Sequence, residues 1–465
     1  MRSSALVRNE QLAAVVKETG WAQRQLAAAF VRVAAEAGAE ELLGTGRSQI
    51  SMWIAGTRPK GRVPLILCET LSRRLQRPIT PAEIGLAAPV SEAVTASEWR
   101  VDTLTELVDL GRTYVDLERR RLLAGAAYSV GGLILPDDEW WDTAPERARS
   151  RVPTTGHRVG APEVNAVREM TEFYQRRDQR AGGMGGRTAL YQYIEDDVAQ
   201  FVGGVFANEA TRRALHSAAG EAAYVAGWMS FDASRHEAAR RYFTLATKLA
   251  AEADDAPLAG HVLRAMAHQA IDLGHPQKAV DLAMASVARR KYQRATPRER
   301  ALLGVVQARS LASSGRKRDA LDALSRAESD LAAVKPGDEE PARVWFFREA
   351  SLAHETARTL WTLGDLDGAL REFERSVRTR KADTFSRTHA VTLGYMGAVQ
   401  AQQGNVEAAC ATWARALDAN DGIHSGRARE TVVNMRRVLS PYRRRGIPAA
   451  AEIDERARVV LGRVT

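Results

Sequence analysis

"LGDLDGAL" (363–370) is one copy of a turn sequence that recurs through the second half of the chain and decides its fold. In each copy an apolar helix ends at a Gly or Asp turn, and a polar stretch ending in Ala starts the next helix. The related copies are "FDASRHEAA" (231–239), "LGHPQKAV" (273–280), "SGRKRDAL" (314–321) and "QGNVEAAC" (403–410). The turn glycines Gly274, Gly315, Gly364 and Gly404 lie 41, 49 and 40 residues apart. Such a period predicts an array of helical pairs.

This array resembles tetratricopeptide repeats, whose unit is about 34 residues long. The longer spacing here predicts helices that are longer by a turn or two, and "VKPGDEEPARV" (334–344) predicts a longer loop. The resemblance implies a right-handed superhelix with a concave inner surface, and we assign it to residues 208–465.

The same resemblance implies a ligand site, because the first helix of each repeat lines the concave surface in tetratricopeptide proteins. The candidate ligand-binding residues are the large and polar side chains of those helices: Trp228, His261, His268, Arg309, Trp345, Glu349, Glu355, Trp361 and Tyr395. Each tryptophan could instead pack between adjacent helices. His261, His268 and His275 are spaced by seven, and we expect no metal site from them because structural zinc needs several convergent ligands.

The positive charge of the chain is concentrated near its N-terminus. The net charge is +9, and the 39 residues 42–80 account for +6 of it. The basic residues there are Arg47, Arg58, Lys60, Arg62, Arg73, Arg74 and Arg77, against the single acid Glu69. A basic segment of this kind favours nucleic-acid binding more than the overall charge does.

The sequence "GRSQISMWIAGTRPKGRVPLILCETLSRRL" (46–75) predicts two helices within this basic segment. Ile50 and Trp53 stand three positions apart and are predicted to face inward, while the polar residues between Arg47 and Met52 point away. Gly56 is predicted to end the first helix and Pro64 to begin the second.

The stretch "ISMWIAGTRP" (50–59) resembles the recognition helix and following turn of repressor-like (Cro and XRE) helix-turn-helix domains. That resemblance implies base contacts in the major groove from Arg47, Ser48, Gln49 and Ser51. It also implies phosphate contacts from Arg58, Lys60 and Arg62. We assign this double-stranded DNA-binding domain to residues 1–88.

The spacing of the two helices in this motif departs from the family. The positioning helix is normally followed almost at once by the recognition helix, but Leu26 and Ile50 are 24 positions apart. About a dozen residues in "VRVAAEAGAEELLG" (31–44) therefore look inserted, either lengthening the second helix or adding a loop. The alternative interpretation is a basic, solvated helical domain that docks on the second half of the protein.

Residues 89–207 are less regular and are predicted to be a helical connecting region. "ERRRLLAGAAYSVGGLILP" (118–136) resembles a twin-arginine export signal, but about 117 residues precede it and its apolar run is too short to span a bilayer. We expect it to be a buried bridge between domains, in a cytoplasmic protein that does not bind membranes. Gly182, Gly183, Gly185 and Gly186 are predicted to allow a sharp reversal between two helices.

The whole chain resembles regulators of streptomycetes and related actinomycetes that join a repressor-like domain to tetratricopeptide repeats. The resemblance implies an all-α homodimeric transcriptional regulator of secondary metabolism or development, gated by a small molecule or peptide in the repeats. The alternative is a repeat scaffold for partner proteins with a degenerate N-terminal domain. No HExxH, Walker or nucleophile-elbow motif is present, and Cys68 and Cys410 are too few for a disulfide scaffold, so we expect neither an enzyme nor a cofactor.

Overall fold

The protein is all-α, as the sequence predicts. The computed structural model describes residues 7–86, 99–120, 128, 130, 133 and 135–463. Within these residues, strand structure is confined to Arg158–Val159 (β1) and Val205–Phe206 (β2), which pair in parallel. The predicted boundary at residue 88 lies outside the described residues.

The N-terminal domain has its own hydrophobic core. Its helices are α1 (Glu10–Glu18), α2 (Gln23–Glu36), α3 (Arg47–Ile54) and α4 (Val63–Leu75). The core contains Leu26 and Phe30 of α2 together with Ile50 and Trp53 of α3, and the Phe30 and Trp53 ring centroids are 5.3 Å apart. The inward positions predicted for α3 are therefore confirmed.

Residues 31–36 of the segment that looks inserted form the end of α2, and the rest of the segment forms a loop between α2 and α3. α2 ends at Glu36, and residues 37–46 contain a 3-10 turn, Glu40–Leu42, before α3 begins. Gly56 follows α3 with a φ of 110°, and Pro64 lies in the first turn of α4, so both predicted helix boundaries are confirmed.

The repeat region consists of six helical pairs within residues 208–463. The pairs are α10 (Glu209–Asp232) with α11 (His236–Glu252), α12 (Ala256–Asp272) with α13 (Pro276–Ser286), α15 (Pro297–Ser313) with α16 (Lys317–Ala332), α17 (Glu349–Thr362) with α18 (Leu366–Thr379), α19 (Ser386–Gln402) with α20 (Val406–Ala419), and α21 (Gly426–Arg444) with α22 (Pro448–Arg463). The short helix α14 (Arg290–Gln293) lies between the second and third pairs. The first helices of the first four pairs pack against one another in order.

Each of these six pairs turns on one residue in the left-handed region of backbone space. The residues and their φ angles are Ser234 (60°), Gly274 (79°), Gly315 (79°), Gly364 (85°), Gly404 (86°) and Gly446 (77°). Glycine adopts this conformation without steric cost, which explains the glycine period of the sequence. The first pair shows no glycine signal because Ser234 occupies that position.

The connecting region packs into the core of the repeats. Its helices are α5 (Thr103–Arg120), α6 (Asp138–Arg149), α7 (Ala161–Ala181), α8 (Arg187–Tyr193) and α9 (Ala199–Val202), with a π-helical turn at Ile194–Val198. Apolar residues of α5, α7 and α8 belong to the same hydrophobic core as α10–α12. α7 contacts both α10 of the first pair and α19 of the fifth pair.

The glycine-rich turn after α7 adopts backbone conformations that favour glycine. Gly182 and Gly186 have φ angles of 86° and 80°. Gly183 lies so close to α10 that a Cβ atom there would come within 2.4 Å of the Met229 carbonyl oxygen. The turn is thus held against the first repeat, and a side chain at position 183 would push it away.

The 118–136 stretch is described only in part. Residues 121–127, 129, 131, 132 and 134 lie outside the described residues. Tyr128, Val130 and Leu133 are buried. The Tyr128 ring stacks on His275 of the second repeat, with centroids 6.1 Å apart.

Candidate functional site

One face of α3 is exposed and polar. Arg47, Ser48, Ser51 and Met52 are exposed, and Met52 is 49% exposed although it is apolar. This pattern arises because Ile50 and Trp53 point into the domain core. Met52 is a candidate DNA contact that the sequence analysis did not include, since an exposed methionine can touch the methyl group of thymine.

Three basic side chains around α3 are free of acidic partners. Arg47, Arg58 and Lys60 are exposed and form no ion pair with any residue that the structure describes. Arg58 and Lys60 lie in the loop that follows α3, where the resemblance implies phosphate contacts. Their charge is available to an external anion without breaking an internal bond.

Two of the predicted DNA-binding residues have bonds inside the domain. The Gln49 Oε1 atom accepts hydrogen bonds from the Gly46 N–H and the Ser48 hydroxyl, both at 3.0 Å, and so caps the start of α3. Arg62 donates to the carbonyl oxygens of Gly38, at 3.2 Å, and Ala37. Arg62 therefore fastens the inserted loop to the start of α4, a role that the sequence did not indicate.

The side of the domain formed by α4 is attached to the repeats. Glu69 of α4 is buried, and its Oε1 lies 2.8 Å from Nε2 of His275, the residue after the second repeat's turn glycine. The Glu69 Oε2 atom accepts a hydrogen bond from the Val130 N–H at 3.3 Å, and Arg73 donates to Oε1 at 2.9 Å. We call Glu69, His275, Val130 and Arg73 the interdomain joint.

The interdomain joint keeps the Glu69 carboxylate ionised. Burial by itself would raise the pKa of Glu69, but the hydrogen bond and charge of His275 and the charge of Arg73 outweigh it, so the pKa is lowered. Gln76 adds a second contact, from its Nε2 to the Gly274 carbonyl oxygen at 2.9 Å. The N-terminal domain does dock on the second half, but it does so through α4 and leaves the outer face of α3 exposed.

A network of buried charges joins the first helices of the repeats. Arg309 of α15 bonds to Asp272 of α12 at 3.2 Å and to Glu355 of α17 at 3.0 Å. Arg358 and Arg427 lie 3.7 and 3.9 Å from Asp272. Because Arg427 belongs to α21, the network connects the second pair with the last.

A second set of buried charges connects α7 with the first and fifth pairs. Arg387 of α19 bonds to Asp178 of α7 and to Asp232 of α10, each at 2.9 Å. Ser425, next to α21, donates to Asp232 at 2.9 Å. Burial, together with the nearby Asp232 carboxylate, raises the pKa of Asp178 to about 7 even though Arg387 opposes the shift. These bonds bring the two ends of the repeat array together.

A cavity of about 70 Å³ lies between these two charge networks. Its wall includes Arg264, His268, Glu355, Arg380 and Arg387. Aromatic rings complete the wall, namely Trp228, Phe346, Phe347 and Phe385. Burial lowers the pKa of His268 to about 4, so this imidazole is neutral at pH 7.

The structure brings some of the predicted ligand-binding residues to this cavity. Trp228, His268 and Glu355 line it. Arg309 bonds to Glu355 and His268 behind the wall. Trp345 stacks on the lining residue Phe385, with centroids 5.1 Å apart.

Four other predicted ligand-binding residues lie elsewhere. His261 packs against Tyr224, with ring centroids 4.4 Å apart. Glu349 is 55% exposed and pairs with Arg375 at 3.0 Å. Trp361 and Tyr395 contact each other at 6.0 Å. For Trp361 the packing interpretation describes the observed contact, whereas Glu349 forms an ion pair at the surface.

The cavity also contains residues that the sequence analysis missed. Arg264 lies on the same face of α12 as His268, four positions before it, so the helical period offered a signal. Arg380 follows the second helix of its pair, and no rule based on first helices could select it. Asp272, four positions after His268, is likewise a missed partner, and it pairs with arginines.

The three histidines spaced by seven do not converge. His261 contacts Tyr224, His268 contacts Asp272 at 3.5 Å, and His275 contacts Glu69. Among the residues that the structure describes, no group of three His, Cys, Asp or Glu side chains is arranged to hold a metal ion.

A comparison with known families finds a match in the N-terminal part of the chain. The model of the SP15 N-terminal domain matches residues 12–87, which span α1 to α4. No curated protein matches the chain. Across the described ranges, no helix combines the length and the apolar character that crossing a membrane requires.

Proposed function

We propose that the protein is a sequence-specific, DNA-binding transcriptional regulator that acts in the cytoplasm as a homodimer. The observation that carries this proposal is the division of the N-terminal domain into two sides. Its α4 side is buried against the repeats, while the α3 side presents Arg47, Arg58 and Lys60 without acidic partners. Free cations around a short exposed helix suit the negative charge of a DNA duplex.

The α3 side chains suit direct reading of bases. Arg47 can donate two hydrogen bonds to guanine, and Ser48 and Ser51 can bond to either kind of base edge. Arg58 and Lys60 would hold phosphates and set the register of the domain on the duplex. Gln49 contributes less than the resemblance implies, because its side-chain oxygen caps α3.

The proposed homodimer follows from the size of one domain. A single helix of this kind reads only a half-site, and two copies would contact half-sites about 34 Å apart along the duplex. The interdomain joint fixes each DNA-binding domain relative to its repeats, so a change in the repeats would change the spacing of the two α3 helices. A ligand would gate DNA binding only if its affinity differed between the competent and incompetent arrangements.

The proposal is tested by sequencing host genomic fragments captured by the purified full-length protein at near-physiological salt. Arg47→Ala is the test variant and Arg318→Ala the matched control, because Arg318 is exposed on α16 and forms no ion pair with the described residues. Gln49 is left unchanged, since its replacement would also disturb the start of α3.

We expect the unaltered protein and Arg318→Ala to enrich one inverted motif that Arg47→Ala loses or relaxes. Loss of a bidentate guanine contact costs about 1–3 kcal/mol. Enrichment that lacks a motif, weakens steeply with salt and ignores Arg47→Ala would indicate phosphate attraction alone. In that case the repeat scaffold for partner proteins becomes the better proposal.

A further inference from the structure

The cavity between the two charge networks contains cations that have no acidic partner. Arg264 is 3% exposed and donates to the His261 carbonyl oxygen at 3.3 Å and the Tyr224 hydroxyl at 2.7 Å. Arg380 is 8% exposed, and its Nη2 donates to the Ala350 carbonyl oxygen at 2.8 Å and to Ser376 at 3.0 Å. Neither guanidinium forms an ion pair with any described carboxylate.

The partners of Arg380 leave part of its guanidinium unsatisfied. Its Nε atom is buried without a hydrogen-bond partner in the described structure. Burial is the main cause that lowers the pKa of Arg380, to about 10, and the charge of Glu355 only partly offsets it. A buried cation without a counter-ion is costly, so this position favours an anion from outside the chain.

The acidic groups around the cavity are already used by other cations. Glu355 bonds to Arg309 at 3.0 Å, while Asp178 and Asp232 bond to Arg387. Asp272 bonds to Arg309, with Arg358 and Arg427 nearby. The two histidines in the wall, His268 and His354, contribute no negative charge and are neutral because burial lowers the pKa of each.

The start of α19 adds a further positive feature to the cavity. Arg387 and Thr388 of its first turn line the wall, and the preceding residue Phe385 provides no side-chain cap for the free N–H groups of that turn. The 17-residue helix α19 therefore begins at the cavity wall without a side-chain cap, and the positive end of its dipole lies there.

We propose that this cavity binds a compact oxyanion, the carboxylate or phosphate group of a small molecule, through Arg264 and Arg380. The volume of about 70 Å³ accommodates such a group in place of a few water molecules. The rings of Trp228, Phe346 and Phe385 would contact the carbon atoms next to the anionic group. Any regulatory effect of this ligand rests on the proposed function, but the binding site itself does not.

The test is isothermal titration calorimetry of the full-length protein, without DNA, at constant ionic strength. Inorganic phosphate and benzoate are the two probes, and chloride is the reference ion. Tight phosphate binding would identify a phosphate group as the ligand, and tight benzoate binding would identify a carboxylate on an apolar body. Arg380→Gln and Arg264→Gln are the test variants, and Arg318→Gln is the matched control on an exposed surface.

We expect one probe to bind at one site per chain and to raise the melting temperature. Each test variant should weaken that binding at least about tenfold, because a charge-assisted hydrogen bond is lost, and Arg318→Gln should leave it unchanged. Binding of both probes no tighter than chloride would overturn the proposal. So would Arg380→Gln and Arg264→Gln variants that bind the probe as tightly as the unaltered protein.

A melting curve of each variant in chloride separates binding from folding. If Arg380 serves anion binding and not folding, Arg380→Gln should melt in chloride at or above the melting temperature of the unaltered protein, because a buried unpaired charge has been removed. If Arg380→Gln lowers the melting temperature equally in chloride and in the probe anion, Arg380 is a structural residue and the proposal is wrong. Because no DNA is present, loss of sequence-specific DNA binding would leave these results unchanged.

Discussion

The outer face of α3 and the interior of the repeats both carry arginines, but these arginines differ in exposure and in their pairing with carboxylates. Arg47 and Arg58 are exposed and unpaired, whereas Arg309 and Arg387 are buried and bonded to two carboxylates each. Water solvates an exposed guanidinium at little cost, so a free one can meet an external partner. A buried one must be paired, and the exceptions at Arg264 and Arg380 are informative for that reason.

The largest difference between the two regions should appear on acidification. Residues 1–88 contain no histidine, whereas burial lowers the pKa of His216, His236 and His268 in the repeats to about 4. Folding favours the neutral form of these three imidazoles. Their contribution to the free energy of unfolding is therefore fully present above about pH 6.5 and is lost as the pH falls toward 4. Each of these histidines should lower the free energy of unfolding by about 2 kcal/mol at pH 5.

Asp178 should partly offset this loss. Its pKa is raised to about 7, so its contribution to stability is larger at low pH and is lost as the pH rises through 7. We expect a net loss of several kcal/mol between pH 7 and pH 5, measured by urea unfolding. His268→Gln should reduce the dependence of the free energy of unfolding on pH. A free energy of unfolding that does not change with pH would contradict the prediction that these histidines are buried in the neutral form.

The two free cysteines can report each region separately in that experiment. Cys68 is buried in the N-terminal domain and Cys410 in the fifth repeat. A pyridyl disulfide, which reacts at acidic pH, should label Cys410 at a lower urea concentration than Cys68 at pH 5. Equal labelling at every pH would mean that the regions unfold as one unit.

The next largest effect should come from Arg387→Met. This change leaves Asp178 and Asp232 buried without their shared cation and should lower the free energy of unfolding by about 3–5 kcal/mol. Urea unfolding followed by circular dichroism measures the loss, with Arg318→Met as the exposed control. A loss below about 1 kcal/mol, the range of surface pairs, would show that the ends of the repeat array are not held together by these bonds.

The smallest effect should come from the interdomain joint. Glu69→Gln keeps the shape of the side chain but removes the charge that faces His275 and Arg73. A double-mutant cycle with His275→Gln should give a coupling free energy of about 1–2 kcal/mol, because both groups are buried and in direct contact. A coupling free energy near zero would show that the contact between Glu69 and His275 does not hold the N-terminal domain on the repeats.

The sequence predicted most of the local structure because local rules govern it. Gly274, Gly315, Gly364 and Gly404 marked turns that require a left-handed residue, and Gly56 and Pro64 marked helix boundaries. The alternation of Ile50 and Trp53 with polar residues placed the α3 face correctly. The first pair escaped the glycine period because Ser234 adopts the same conformation.

The candidate sites were only partly predictable, since their members are distant in the sequence. A residue type does not show whether a side chain is already in use, as Gln49 and Arg62 demonstrate by bonding within their own domain. Arg380 is a candidate anion-binding residue because the nearby Glu355 is paired with Arg309 and the Arg380 Nε atom has no hydrogen-bond partner in the described structure, and neither fact can be read from the sequence.

By itself, the sequence determined the helices, their turns and the exposed polar face of α3, all of which depend on residues within a few turns of one another. Only the tertiary structure decided the pairing of Glu69 with His275, the placing of Arg387 between Asp178 and Asp232, and the enclosure of Arg264 and Arg380. The physical reason is that pairing and burial depend on which distant segments meet, and no local pattern records that.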